Sequence, residues 1–115
     1  MARPIRRGEI YWVDWSPGRG SEQKGLRPAL VIQNDTGNEF SPTTIVASCT
    51  TAIGKPYPFI VSAKARESGL PRDCCVNLAQ IATVDKSRLV EKCGELDEEK
   101  MKQIDHAIKI SLALK

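Results

Sequence analysis

The sequence predicts a mainly β single domain: a small, strongly bent antiparallel sheet or partly open barrel with one C-terminal helix packed against it. Three observations predict it. The 115 residues fit one domain, since domains run to roughly 100–200 residues. Five or six short apolar or β-branched runs are separated by clusters of Gly, Pro, Asn, Asp and Ser. Only the C-terminal stretch carries a sustained helical period.

The first strand is expected over residues 8–15, Gly8-Glu9-Ile10-Tyr11-Trp12-Val13-Asp14-Trp15, which are β-branched and aromatic. Its period-2 phase is mixed, because both faces carry large residues. Loop formers at 16–21 then break it. Residues 28–33 are a short continuous apolar run, as in a buried strand, and 34–38 carry turn chemistry. Residues 43–51 form another strand that ends on Cys49-Thr50-Thr51. Strands over 57–63 and 74–79 follow; residues 80–84 are either a separate strand or a bent continuation after a bulge. The helix starts at Asp97, an N-cap followed by Glu98 and Glu99, which suit the positive end of the helix dipole. Leu96 and Met101 have hydrophobic-staple spacing. Met101, Ile104, Ala107, Ile108, Ser111 and Leu112 share one face, and His106 falls off it, which predicts an exposed histidine.

Composition excludes several classes. Hydrophobic residues at 41%, charged residues at 27% and 15 Gly plus Pro rule out collagen-like, low-complexity and wholly disordered chains. Apolar runs such as 29–32 and 45–47 are far short of the roughly 18 residues that cross a bilayer. Residues 1–7 are basic, but Gly8 and Glu9 follow where a signal peptide places its apolar stretch. A soluble, cytoplasmic protein with no membrane partner is expected. The four cysteines, Cys49, Cys74, Cys75 and Cys93, contain no C-x-x-C pair and are expected as small buried hydrophobes.

One histidine, His106, cannot supply the acid and base of a two-histidine nuclease, and disfavours a His-based zinc site. Any catalysis must use other groups. The net charge of +3 decides little, but residues 1–30 carry six positive and three negative charges. Most of those cations are arginines, which suit bidentate phosphate contact. Conventional motifs fail: Gly18-Arg19-Gly20 lacks the third glycine of a dinucleotide loop, and Lys24 lacks P-loop spacing. Glu22-Gln23-Lys24 with Asp14 resembles a metal-nuclease set, but Glu22 lies in a loop between Gly20 and Gly25 rather than on a strand. No metal or cofactor is expected.

A more promising constellation is Ser21-Glu22-Gln23-Lys24-Gly25-Leu26-Arg27-Pro28, which puts an acid, a base and hydroxyl or amide groups at the entry to a buried strand. Pro28 disfavours helix at Arg27 and leaves that residue at the mouth of the sheet. Thr50 and Thr51 end the next strand with two hydroxyls, which β-propensity alone also explains.

These residues resemble the MazF/PemK toxins of bacterial toxin–antitoxin systems, small ribosome-independent endoribonucleases. The resemblance covers nearly the whole chain. It is carried by Arg7-Gly8-Glu9-Ile10-Tyr11-Trp12-Val13-Asp14, by Gly20-Ser21-Glu22-Gln23 with Gly25 and Arg27-Pro28, and by Leu30-Val31-Ile32-Gln33-Asn34-Asp35. Phe40-Ser41-Pro42-Thr43, Thr50-Thr51, Tyr57-Pro58-Phe59, Gln80-Ile81 and Asp85-Lys86-Ser87-Arg88-Leu89 continue it. It implies a small SH3-like barrel with a C-terminal helix, the MazF/CcdB-like plasmid maintenance toxin fold, spanning 1–115 and forming a homodimer. It also implies catalytic Arg27 and Thr50, with Glu22 assisting, and RNA contacts from Ser21, Gln23, Thr51 and Gln80. The implied substrate is single-stranded RNA, and the implied partner an acidic MazE-like antitoxin in the basic groove. Base stacking would come from Trp15, Phe40, Tyr57 or Phe59, at least two of which are expected in the core. Residues 52–56 form a shorter connection than in longer relatives, so a cleavage sequence does not transfer. Two alternatives remain: a CcdB-like toxin that binds DNA gyrase, and a noncatalytic RNA-binding or protein-binding barrel.

Overall fold

The computed structural model describes residues 4–16, 25–51 and 55–115. Six strands form one antiparallel sheet: β1 Glu9–Asp14, β2 Leu26–Val31, β3 Thr43–Thr50, β4 Ile60–Ala63, β5 Cys74–Asp85 and β6 Leu89–Glu95. Their order across the sheet is β4-β5-β3-β2-β1-β6. Among the described residues, three α-helices accompany them, α1 Asp35–Phe40, α2 Ala65–Ser68 and α3 Glu98–Ser111, with a short 3-10 turn at Lys86–Arg88.

Each face of the sheet covers a core. The α3 side buries Ile10, Leu30, Ala47, Val76 and Leu78 with Ile104 and Ala107 of the helix. The opposite side buries Tyr11, Val13, Ala29, Val31 and Val46. Burial on both faces explains why β1 shows no clean alternation. The helix follows its expected cap: the Asp97 side chain accepts from the Lys100 amide at 2.8 Å, and Leu96 is buried beside it. His106 is exposed, as its position off the stripe requires.

Three elements were not legible. Residues 34–38 form no simple turn: Asn34 caps α1 through its side chain, which accepts from the Gly37 amide at 2.7 Å. The helix is held from within by a buried polar set. Thr44 Oγ1 donates to Asn38 Oδ1 at 2.6 Å, and Asn38 Nδ2 donates to Gln33 O at 3.0 Å. Arg7 ties this corner to α3, donating through Nε to Ile32 O at 2.8 Å and through Nη2 to Asp105 at 2.7 Å. Its own amide donates to Asp35, which holds that carboxyl below the usual aspartate value.

β6 was missed because its Glu91, Lys92 and Glu95 hide an apolar pattern. Lys92 reaches Glu9 at 2.8 Å, and Glu9 is itself buried and accepts from Tyr11 OH. That pairing raises the Lys92 ammonium above its ordinary value. The third element is α2, whose end closes the sheet on itself. Gly69, at φ +81°, and Gly94 of β6 pack backbone against backbone, so that α2 after edge strand β4 meets edge strand β6. A Cβ on Gly69 would stand 2.1 Å from Cys93 O.

Residues 74–84 are one long strand, β5, with an irregularity rather than two strands. Ala47 pairs with Ile81 but Ser48 pairs with Asn77, so residues 78–80 bulge out of the ladder. The freed backbone groups find partners: Leu78 N–H donates to Phe59 O, Ala79 N–H to Asn77 Oδ1, and Leu78 O accepts from Ser111 Oγ at 2.6 Å. The helix thereby pins the bulge.

Candidate active site

Arg27 lies near the start of β2, paired with Val13 of β1, and is exposed. In the β2–β3 ladder Ala29 faces Ser48, Leu30 faces Ala47 and Val31 faces Val46. Continued two residues toward the strand ends, that register sets Arg27 across from Thr50. Thr50 in turn pairs with Cys75 of β5, and Cys75 with Ser62 of β4. Arg27, Thr50, Cys75 and Ser62 therefore form one cross-strand row. Strands lie about 4.7–4.9 Å apart, so the row makes a track at right angles to the strands.

Alternation places this row on the face that buries Val13, Ala29 and Val46, beyond the point where burial ends. Gln80, exposed, lies in the bulge of β5 beside Ile81, which pairs with Ala47. Thr51, exposed, follows the end of β3. The structure thus sets Arg27 and Thr50 on one surface, with Gln80 exposed in the bulge of β5. Ser21, Glu22 and Gln23, together with Lys24 of the metal-nuclease alternative, lie outside the described residues.

The backbone leading to Arg27 is well tied. Trp15 N–H donates to Gly25 O at 2.9 Å, Gly25 N–H donates to Ser16 Oγ at 3.1 Å, and Trp15 Nε1 donates to Arg27 O at 3.3 Å. Gly25 adopts φ +77°, which a side chain rarely tolerates. Arg88 donates to Asp14 O and to Ser16 O. Trp15 and Arg88 were not picked out as anchors, because Arg88 reaches its partners across 72 and 74 residues of sequence.

Behind Thr50 the apolar side of β3 carries Cys49. Its thiol is hydrogen-bonded to Cys74 and buried, and both effects raise it well above the ordinary value. It stays neutral and packs, as expected; Cys74 is also buried, whereas Cys75 and Cys93 are only half-buried. All four are free thiols. Of the four aromatic candidates for base stacking, Trp15 and Phe59 pack partly into the two cores, and Phe40 is 77% exposed. Tyr57, 48% exposed, stacks on Phe59 with ring centres 5.1 Å apart.

A cleft of about 560 Å³ opens beside Thr50 and runs past Lys55, Ser62 and Asn77 to Lys100. Lys64 pairs with Asp73 at 3.7 Å and Lys100 with Glu67 at 3.5 Å, and Lys100 also donates to Ser62 O at 3.0 Å. The Glu67 carboxyl is lowered, first by its hydrogen bond from the Lys64 amide and further by Lys100. Nothing in the sequence pattern signalled this cleft, since its walls come from four separated segments.

A family model for PemK-like, MazF-like toxins of type II toxin–antitoxin systems matches residues 6–112. The chain belongs to this family. It is 51% identical over 111 residues to endoribonuclease EndoA of Bacillus subtilis (strain 168), covering 96% of each chain. Among solved structures, MazF from Deinococcus radiodurans superposes with a TM-score of 0.82 at 24% identity, covering 98% of this chain and all of that one. A mycobacterial endoribonuclease in complex with its cognate antitoxin gives 0.81 at 24% identity, covering 96% and 97%. These likenesses establish the MazF-type fold: a mainly antiparallel six-stranded sheet with a C-terminal helix.

Proposed function

We propose that this family member is the toxin of a type II toxin–antitoxin pair and acts as a sequence-specific, ribosome-independent endoribonuclease on single-stranded RNA, without metal. The observation that supports this reading is the β2–β3 register, which, continued to the strand ends, sets Arg27 across from Thr50 at two exposed positions. The 51% identity to an endoribonuclease supports the reaction class.

RNA carries its own nucleophile, so a protein that cuts it needs only to orient the 2′-OH, move protons and stabilise the crowded phosphorane. The 2′ oxygen attacks phosphorus, the bond to the 5′ oxygen breaks, and the ends are a 2′,3′-cyclic phosphate and a 5′-OH. Arg27 offers several fixed donors to the developing negative charge, and Thr50 adds another. Arginine, with a pKa above about 12, is a poor base. Glu22 is therefore assigned to take the 2′-OH proton, and the departing 5′ oxygen takes a proton from water to become the 5′-OH. Thr51, Gln80, Ser21 and Gln23 contact flanking bases through hydroxyls and amides, as single-strand recognition requires. An acidic antitoxin covers the same surface, and a solved relative held by its cognate antitoxin supports that partner. A homodimer working in the cytoplasm completes the proposal.

Metal removal tests it. Purified protein is expected to cleave single-stranded RNA at an undiminished rate in excess EDTA. Loss of cleavage on chelation would restore the Asp14, Glu22 and Lys24 site, and growth arrest with no RNA cleavage would favour gyrase binding.

A further inference from the structure

The cleft beside Thr50 has a composition that an ion-pair network alone does not explain. Its lining combines the apolar Pro56 and Ile60 with the polar Thr50, Ser62 and Asn77. Ile60, Asn77 and Ser48 lie in the row next to Ser62, Cys75 and Thr50, two residues along each strand. The cleft therefore continues the Arg27–Thr50 track directly, across β5 to edge strand β4. Its Lys64 and Lys100 are already paired with carboxylates, whereas Lys55 makes no ion pair among the described residues. Apolar and polar lining residues together with a lysine outside the ion pairs fit a flat ring with polar edges that is attached to a phosphate.

Asn77 has a fixed orientation. Ala79 N–H donates to it at 2.9 Å, and only the amide oxygen can accept, so Nδ2 is left as a donor. The bulge of β5 imposes this, because the Ala79 amide has lost its ladder partner.

We propose that this cleft is a nucleobase subsite. It receives the base of the nucleotide adjoining the scissile phosphate, Asn77 donates to an acceptor on that base's edge, and Lys55 meets the neighbouring phosphate. The inference rests on the ribonuclease reading above. Asn77 is a specificity-determining residue: facing the 4/6 position of the ring, its donor meets the exocyclic oxygen of uracil or guanine and is mismatched with the exocyclic amino group of cytosine or adenine.

Asn77→Asp tests this directly, because the carboxylate still accepts the Ala79 N–H while replacing the free donor with an acceptor. A randomised single-stranded RNA pool is cut by the original chain and by the variant, and the new ends are sequenced. The expected result is a shift of about tenfold toward amino-bearing bases at one position adjoining the cut, with other positions unchanged. Ser62→Ala, at an exposed place on the edge strand, is expected to move the same position by a smaller factor, and carries the test if Asn77→Asp folds poorly. Profiles that overlay at that position for both variants overturn the inference while leaving the ribonuclease reading intact. If the original chain cuts no RNA, both fall.

Discussion

Arg27→Ala is expected to lower the rate of RNA cleavage by about 10²–10³-fold, the usual cost of removing one preorganised donor from a developing oxyanion. Thermal unfolding should hardly move, because Arg27 is exposed and its β2 backbone stays tied to β1. Arg27→Lys should recover only a small part of the rate, since an ammonium cannot reproduce the planar fork of donors. Thr50→Ala is expected to cost less than Arg27→Ala, as one neutral hydroxyl is the weaker partner of an anion. Initial rates on one RNA oligonucleotide, set beside melting curves, check all three. Full activity in Arg27→Ala would remove this residue from the chemistry.

The second large effect concerns closure of the sheet. Gly69→Ala is expected to destabilise the fold by about 3 kcal/mol or more. The new methyl meets Cys93 O at 2.1 Å, and φ +81° is itself unfavourable for any side chain. Gly94→Ala meets Ser68 O at 2.5 Å from the other side and should cost a similar amount. Both contacts are with backbone, so no rotamer change relieves them. The two substitutions lie at one contact, so their effects should not add. Gly25→Ala is a useful contrast: it shares a positive φ, but nothing lies within 4 Å of its added Cβ. Urea denaturation with matched slopes measures the three costs.

Which features were legible in the sequence follows from how local their causes are. α3 was legible because its cap, staple and apolar stripe sit within 17 residues, from Leu96 to Leu112. The strands that bury both faces were legible as apolar runs, though their pairing was not. β6 was lost because its charged residues serve distant partners, with Lys92 held by Glu9 on the far side of the sequence. α2 and its glycine contact depend on two edge strands meeting, which no window of sequence contains. The site behaved likewise. Arg27 and Thr50 were each recognisable, one by Pro28 beside it and one by its place at a strand end. Their apposition needed the β2–β3 register, and Asn77 needed the bulge that turns its amide. Ser21, Glu22 and Gln23 were legible as a motif, and they lie outside the described residues.

The central claim is that the RNA supplies the nucleophile and that Arg27 and Thr50 stabilise what forms. The most direct measurement uses one oligonucleotide in two forms, all-ribose and carrying a single 2′-deoxy nucleotide at the scissile position, incubated with the protein in excess EDTA. The account predicts that the all-ribose strand is cut to a 2′,3′-cyclic phosphate and a 5′-OH while the 2′-deoxy strand stays intact. Cutting of the 2′-deoxy strand at a comparable rate would contradict it.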